Sequence, residues 1–213
     1  LDTPGEASFI NEALGTLSVV EGVLMVVNAV TKVEVQTERI WKRAVDMGVS
    51  RVVAVNMMDR ERAYYGEALE ALQDRFGDTV VALGLPIGEE ADFKGVVDLL
   101  SMKAYVYADN SGKGAEQAIP EELQAAADEA RERLVDRVAE ADDALLEKYL
   151  EGGELTQEEI SAAMQTAVAA GSLCPVLPVS SAKNIGADRL LGALLAVPSP
   201  LARGPRMALQ GTS

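Results

Sequence analysis

Two polar residues at a strand end, Asn56 and Asp59, are the first candidates for chemistry. They follow Val52-Val53-Ala54-Val55, an apolar run typical of a buried parallel strand, and ligands bind at the carboxyl ends of such strands. An Asp carboxylate there can accept two parallel N–H bonds from guanine, which adenine cannot offer, each worth about 1.5–3 kcal/mol. The Asn could donate to the ring and brace a neighbouring loop. The same pair could instead cap the next helix.

Two other loops carry complementary chemistry. Asp2-Thr3-Pro4-Gly5 has the spacing D-x-x-G, and Ser181-Ala182-Lys183 follows an apolar segment. Asp2 could hold a Mg²⁺-bound water, while the Gly5 backbone N–H could approach a terminal phosphate without a Cβ in the way. The backbone N–H of Ala182 could donate to the carbonyl oxygen of guanine. Three such loops in this order are more specific than any one of them alone.

The elements that must position these loops alternate between strand and helix. Apolar runs predict strands at Val23–Val27 and Val52–Val55, with helices over 35–47 and 62–75, which indicates a doubly wound parallel sheet. Leu1 is expected to end a strand, and residues 79–85 are expected to form one. A further strand is predicted over 176–179, where Pro178 indicates edge or irregular pairing.

The chain changes character after Gly77. We predict an α/β domain in two parts, residues 1–85 and 173–200, with an inserted α+β subdomain at 86–172 and an unstructured tail at 201–213. The segment 86–172, here called the insert, contains 20 acidic and 7 basic residues. Its acidity fits either a solvated helical face or a docking surface for a basic partner.

Composition excludes several classes of protein. The 213 residues carry a formal charge of −15 and no histidine, which argues against direct binding of nucleic acid. The single cysteine, Cys174, excludes an internal disulfide and fits a reducing compartment. No signal peptide or membrane-spanning run is evident, so we predict a cytoplasmic protein. Because the sequence opens with Leu1 almost on a motif, we expect a piece of a longer chain.

With these loops, the sequence resembles elongation factor G and its paralogues among the translational GTPases. The resemblance includes five further stretches, which are Lys32-Val33-Glu34-Val35-Gln36-Thr37-Glu38, Leu85-Pro86-Ile87-Gly88, Gly95-Val96-Val97-Asp98-Leu99, Leu145-Leu146-Glu147-Lys148-Tyr149-Leu150-Glu151-Gly152 and Val197-Pro198-Ser199-Pro200. It implies an α/β fold with a doubly wound sheet like that of P-loop GTPases, lacking its amino-terminal part, in which the insert is the family's G′ subdomain.

The resemblance also implies site residues, ligands and partners. Guanine would be bound by Asn56, Met57 and Asp59 and supported by Ser181, Ala182 and Lys183. Asp2, Thr3, Pro4 and Gly5 would sense the γ-phosphate of GTP, with Asp2 reaching Mg²⁺ through water. The implied activity is GTP hydrolysis coupled to ribosomal translocation, and the implied partners are the ribosome and a ribosomal stalk protein.

Three departures from the family pattern limit that activity. The 213 residues contain no G-x-x-x-x-G-K-[ST] phosphate loop, since Ser111-Gly112-Lys113-Gly114 lacks the spacing. The resemblance places that loop and the first switch before Leu1, so we predict neither tight GTP binding nor hydrolysis by this chain alone. Glu6 stands where the family carries a catalytic His, and the γ-phosphate would repel it. Met57 replaces the Lys of N-K-x-D, which predicts weaker affinity with guanine selectivity retained.

Two alternatives stay open from the residues. One is a degenerate, non-hydrolysing GTPase-like module that acts by protein contact through the acidic insert. The other is a sister translational GTPase, such as a release factor or a ribosome-protection protein, although the Leu145–Gly152 stretch favours elongation factor G. In either case, a sheet without its amino-terminal strand is expected to leave one edge unpaired.

Overall fold

The computed structural model describes residues 1–153 and 155–195, and the predicted tail at 201–213 lies outside them. A 3-10 helix, Ala7–Phe9, precedes the first α-helix, and a second, Glu90–Asp92, lies in the insert. The helices are α1 (Ile10–Thr16), α2 (Val35–Asp46), α3 (Tyr65–Phe76), α4 (Glu121–Ala139), α5 (Asp143–Leu150), α6 (Gln157–Ala170) and α7 (Ala187–Leu194). The strands are β1 (Gly22–Asn28), β2 (Ser50–Asn56), β3 (Val80–Ala82), β4 (Gly84–Ile87), β5 (Gly95–Asp98), β6 (Lys103–Val106), β7 (Ala115–Gln117) and β8 (Cys174–Pro178).

A parallel sheet with the order β1-β2-β8-β3 carries the candidate site. Alternate residues of β2 face opposite sides of this sheet. Val52 packs into an apolar cluster with α4 and α6, while Val53 and Val55 pack into another with α2 and α3. Because both faces are covered, the strand reads as an unbroken apolar run. The predicted doubly wound parallel sheet is confirmed.

Of the two expectations for Pro178, edge or irregular pairing, the edge position was wrong, because β8 lies between β2 and β3. The Val179 N–H donates to the Val55 carbonyl on the β2 side, at 2.8 Å. Backbone groups alternate along a strand, so the nitrogen of Pro178 faces the β3 side instead. There the pairing with β3 has already ended at Ala82, so the proline removes no hydrogen bond of the ladder.

Two local expectations were also corrected. Residues 79–85 do not form one strand, because β3 joins the parallel sheet and β4 joins a second, antiparallel sheet with the order β4-β5-β6-β7. The chain changes sheet at Gly84, where a Cβ would lie 2.8 Å from Cγ1 of Val96. Leu1 does not end a strand, since residues 1–5 have no regular secondary structure.

The two sheets pack into shared apolar clusters rather than into separate cores. Val52 and Leu177 of the parallel sheet belong to the same cluster as Val97 of the second sheet and Leu134 of α4. The insert boundaries at 86 and 172 stay a prediction. Among the described residues, no helix is long and apolar enough to cross a membrane.

The outer edge of β1 has no strand beside it in the described part of the chain. A groove of about 770 Å³ runs along this edge, and its lining includes Leu1–Gly5 on one side and β1 on the other. The side-chain oxygen Oε1 of Gln36, which also lines the groove, is buried without a hydrogen-bond partner among the described residues.

Candidate functional site

The loops that follow β2 and β8 are tied together by one side chain. Asn56, the last residue of β2, accepts the backbone N–H of Ser181 at 3.0 Å through Oδ1. Its Nδ2 donates to the Ser181 hydroxyl at 3.1 Å. The Met58 N–H adds a backbone bond to the Val179 carbonyl at 3.3 Å. The structure thus brings two of the three predicted loops into direct contact.

Asp59 is held by a residue that sequence reasoning missed. The hydroxyl of Ser180, fully buried, donates to Oδ1 of Asp59 at 2.6 Å and accepts the backbone N–H of Lys183 at 3.1 Å. Among the described residues, Oδ2 of Asp59 has no hydrogen-bond partner. The orientation of the carboxylate is therefore fixed through one oxygen while the other remains available to a ligand. A hydroxyl directly after the apolar end of β8 was the available sequence signal.

Residues 180–186, here called the β8–α7 loop, form a closed turn. Ser180 and Ile185 exchange two backbone hydrogen bonds, of 3.0 and 2.9 Å. Gly186 leaves the loop at φ 80°, and a Cβ there would lie 2.7 Å from the Pro178 carbonyl oxygen, so no larger residue fits. Ala182 is exposed at the tip, and its N–H makes no hydrogen bond within the described chain. That N–H is free to donate to a ligand.

Met57 lies on the exposed side of the turn after β2, with φ 65° and 40% of its side chain surface accessible. Its neighbour Met58 is fully buried and anchors the turn in the core. The unbranched Met57 side chain can lie over a flat ring, but it supplies no charge.

The first predicted loop, Asp2-Thr3-Pro4-Gly5, is more exposed than the other two and makes fewer hydrogen bonds. Asp2, Pro4, Gly5 and Glu6 are exposed and Thr3 is half-buried. Residues 2–5 line the groove along β1, to which Asn28 and Lys32 also contribute. Within the described chain, the one hydrogen bond to this stretch runs from the Phe9 N–H to the Glu6 carbonyl, at 3.0 Å. In that same part of the chain, no hydrogen bond joins residues 2–6 to Asn56, Asp59 or the β8–α7 loop.

The residues fit the two halves of a guanine nucleotide unequally. The free carboxylate oxygen of Asp59 and the free N–H of Ala182 suit the edge of a guanine base. Mg²⁺ prefers several oxygen ligands and usually takes some from phosphates and water. Among residues 1–153 and 155–195, no group of three or more acidic, Cys or His side chains could hold a metal by itself. Asp2 could therefore supply only one of the ligands that Mg²⁺ needs.

Comparison with known proteins agrees with this geometry. The family described as elongation factor Tu GTP binding domain matches residues 1–199. The chain belongs to this family. A crystal structure of a protein from Thermus thermophilus is similar at 35% sequence identity and a TM-score of 0.87, over 95% of this chain and 30% of that one. The chain thus spans about a third of the length of that protein.

Membership identifies a GTP-binding domain of the translational GTPase type. The predicted kinship with translational GTPases is confirmed at this level, and the family binds guanine nucleotide with Mg²⁺. No comparison supports the alternative of a non-hydrolysing contact module. The assignment to elongation factor G in particular rests on the motifs alone.

Proposed function

We propose that the chain is part of the GTP-binding domain of an elongation-factor-G-like translational GTPase, and that it supplies the recognition of the guanine base. The observation that carries this proposal is the network of Asn56, Asp59, Ser180 and Ser181, which holds two loops together at the carboxyl end of the sheet. It leaves one carboxylate oxygen and one backbone N–H unbonded within the described chain, which is the pattern that a guanine edge complements.

Each residue has a distinct role in this proposal. The free oxygen of Asp59 accepts N–H bonds from the base, and the Ala182 N–H donates to the base carbonyl. Asn56 and Ser181 fix the distance between these two groups. Lys183 extends from the loop to the Ala91 carbonyl, at 2.9 Å, so its ammonium braces the loop and its aliphatic part is left to flank the ring. Met57 covers the base without adding charge.

The phosphate side depends on Asp2, Thr3, Pro4 and Gly5. When bound, Mg²⁺ would neutralise charge on the phosphates, and Asp2 would hold it through a water molecule. The Gly5 N–H would meet the terminal phosphate. Glu6 would be repelled by that phosphate, so in a longer chain that carries a phosphate loop we expect slow hydrolysis, accelerated by Glu6→His. Unchanged ribosome-stimulated turnover in that variant would contradict this role.

By itself the chain is expected to bind GTP weakly and not to hydrolyse it, because its sequence has no phosphate loop. Base contacts alone are expected to give a dissociation constant of about 1 mM or weaker, which corresponds to about 4 kcal/mol. Isothermal titration with GTP tests this. A micromolar affinity would overturn it, and the absence of any response of residues 180–186 to millimolar GDP by NMR would reject base recognition itself.

The remaining elements of the proposal concern context. The insert, residues 86–172, would present its acidic surface to the ribosome and to a ribosomal stalk protein, while residues 1–85 and 173–200 form the two parts of the nucleotide domain. A cytoplasmic location follows from that role. Binding of purified ribosomes, with a charge-reversed insert as the comparison, tests the partner.

A further inference from the structure

The β8–α7 loop and the start of α7 are held from the insert side by four hydrogen bonds. Nζ of Lys183 donates to the Ala91 carbonyl at 2.9 Å, and Nδ2 of Asn184 donates to the Asn110 carbonyl at 3.1 Å. Asp188, in the first turn of α7, accepts the hydroxyl of Tyr107 and, at 3.4 Å, the N–H of Gly114. These partners lie 74 to 92 residues apart in sequence, so tertiary packing creates every one of these bonds.

Tyr107 makes the most buried of these contacts. It directly follows β6, is only 7% exposed, and points its hydroxyl at Asp188. A buried hydroxyl without a hydrogen-bond partner destabilises the folded chain, so the bond to Asp188 contributes to stability. Burial, and then the bond to the Asp188 carboxylate, raise the pKa of Tyr107 well above its ordinary value, so the hydroxyl remains a donor across the physiological range.

The fit at the loop is also steric. Gly112 adopts φ 74° and packs so closely on Asn184 that a Cβ would lie 2.5 Å from its Nδ2. Asn184 itself is in the left-handed region, at φ 55°. The 107–114 segment therefore supports the loop both by hydrogen bonds and by direct contact.

The same side of the insert also contacts the loop after β2, which carries Asp59. Oε1 of Glu90 accepts the backbone N–H of Arg62 at 2.7 Å, three residues after Asp59. Residues 89–114 thus contact both loops that carry the proposed base-reading groups.

We infer that Tyr107, Asn110 and Gly112 are positioning residues for guanine recognition. They hold the Ala182 N–H where it meets the carbonyl of the base, and this role rests on the proposed function. Because coupling between sites is reciprocal, guanine binding also orders residues 107–114, and a partner that grips this segment alters the affinity for guanine nucleotide.

Two matched pairs of variants test the inference in the 213-residue chain. Tyr107→Phe removes the hydroxyl that reaches Asp188, whereas Tyr105→Phe makes the same change on the same side of the insert, where the hydroxyl is 3.5 Å from exposed Glu116. Gly112→Ala drives a methyl group into Asn184. Gly152→Ala places one at a similar φ, 81°, with nothing within 4 Å.

Amide hydrogen exchange is the first readout. Weaker support of the loop is expected to speed exchange of its hydrogen-bonded amides, those of Ser181, Lys183 and Ile185, about fivefold in Tyr107→Phe and in Gly112→Ala, with β2 and β8 unchanged. The two control variants should leave the loop unaffected. Exchange rates of these three amides that match between each variant and its control would overturn the positioning role, whatever the nucleotide data show.

NMR titrations with GDP and with inosine diphosphate give the second readout. The inosine base keeps the carbonyl and lacks the exocyclic amine, so a displaced Ala182 N–H should weaken both nucleotides by a similar factor of about five. A loss confined to GDP would place the defect at Asp59 and contradict the inference. A wild-type chain that responds to neither nucleotide rejects the proposed function, whereas unchanged loop exchange rejects the positioning role, so the two failures are distinguishable.

Discussion

The two ends of the candidate site differ in how firmly they are held. The base end comprises Asn56, Asp59 and residues 180–186, and the phosphate end comprises residues 2–6. At the base end, Asn56 and Ser180 fasten two loops with side-chain hydrogen bonds of 2.6 to 3.1 Å, and Ser180 is fully buried. At the phosphate end, residues 2–6 lie largely exposed beside an open groove and gain one backbone bond within the described chain, from Phe9. One half is organised before any ligand arrives, and the other is not.

This difference separates selectivity from affinity. Donors and acceptors that are already in place cost little to order on binding, so base discrimination can persist when binding is weak. The phosphate end offers few fixed groups, so we expect it to add little affinity in this chain. The following substitutions test whether the two ends differ in this way.

The largest effect is expected at Asp59. Asp59→Asn exchanges an acceptor for a donor against the base N–H groups, so the response to GDP should weaken by about tenfold or more. Asp2→Asn, at the exposed end, should leave it within about twofold. Amide shifts of residues 180–186 during GDP titration measure both. Equal losses in the two variants would show that the ends are not distinct.

The second effect concerns stability. Asn56→Ala removes both side-chain bonds between the β2 and β8 loops and should lower the free energy of unfolding by about 1–2 kcal/mol. Asn11→Ala, an exposed residue in α1, provides the control and should change it by less than about 0.5 kcal/mol. Urea unfolding followed by circular dichroism reports the difference. An unchanged midpoint for Asn56→Ala would mean that the loops are held by other contacts.

The third effect concerns charge beside the base. Met57→Lys places an ammonium on an exposed position and is expected to strengthen GDP binding about twofold to fivefold, as suits an exposed ion pair. Met57→Leu, similar in size and uncharged, should not. Since the gain is electrostatic, about 0.5 M NaCl should abolish it. A gain that survives salt would point to a change in shape instead.

The smallest effect is a pH dependence in the insert, remote from both ends. A hydrogen bond from Lys148, then one from the Thr156 backbone, lower the pKa of Glu159 in the folded chain. Its stabilising contribution is therefore complete above the ordinary value of 4.5 and is lost as pH falls through the lowered one. Unfolding midpoints between about pH 6 and pH 3.5 should fall less in Glu159→Gln than in the wild type. Parallel profiles would argue against this linkage.

The sequence predicted the elements of the parallel sheet but not all of their neighbours. The apolar runs of β2 and β8 reflect burial on both faces, and so these strands and their parallel class could be predicted. The run of β1 also predicted a strand, although Val26 is exposed there. The place of β8 could not, because Pro178 reports on local hydrogen bonding and not on which strands lie beside it. Residues 79–85 were wrongly predicted to form one strand for a similar reason, because a single apolar run contributes β3 to one sheet and β4 to the other.

The candidate site shows a similar division. The pairing of Asn56 with a neighbouring loop could be expected from its position after β2. Ser180 was overlooked because a serine next to a motif carries little information without the distance to Asp59. The contacts from Tyr107 and Asn110 connect residues 81 and 74 positions apart, and no local pattern encodes them.

The exposed border of β1 has a practical consequence for work on this polypeptide. Gly22–Asn28 contains no charged residue and no proline, the usual guards against unwanted strand pairing, and Val26 is 62% exposed there. At high protein concentration, such an unpaired edge can form backbone hydrogen bonds with a second molecule and start aggregation. Solubility on storage therefore depends in part on one short strand, whose last residue, Asn28, pairs with Asn56.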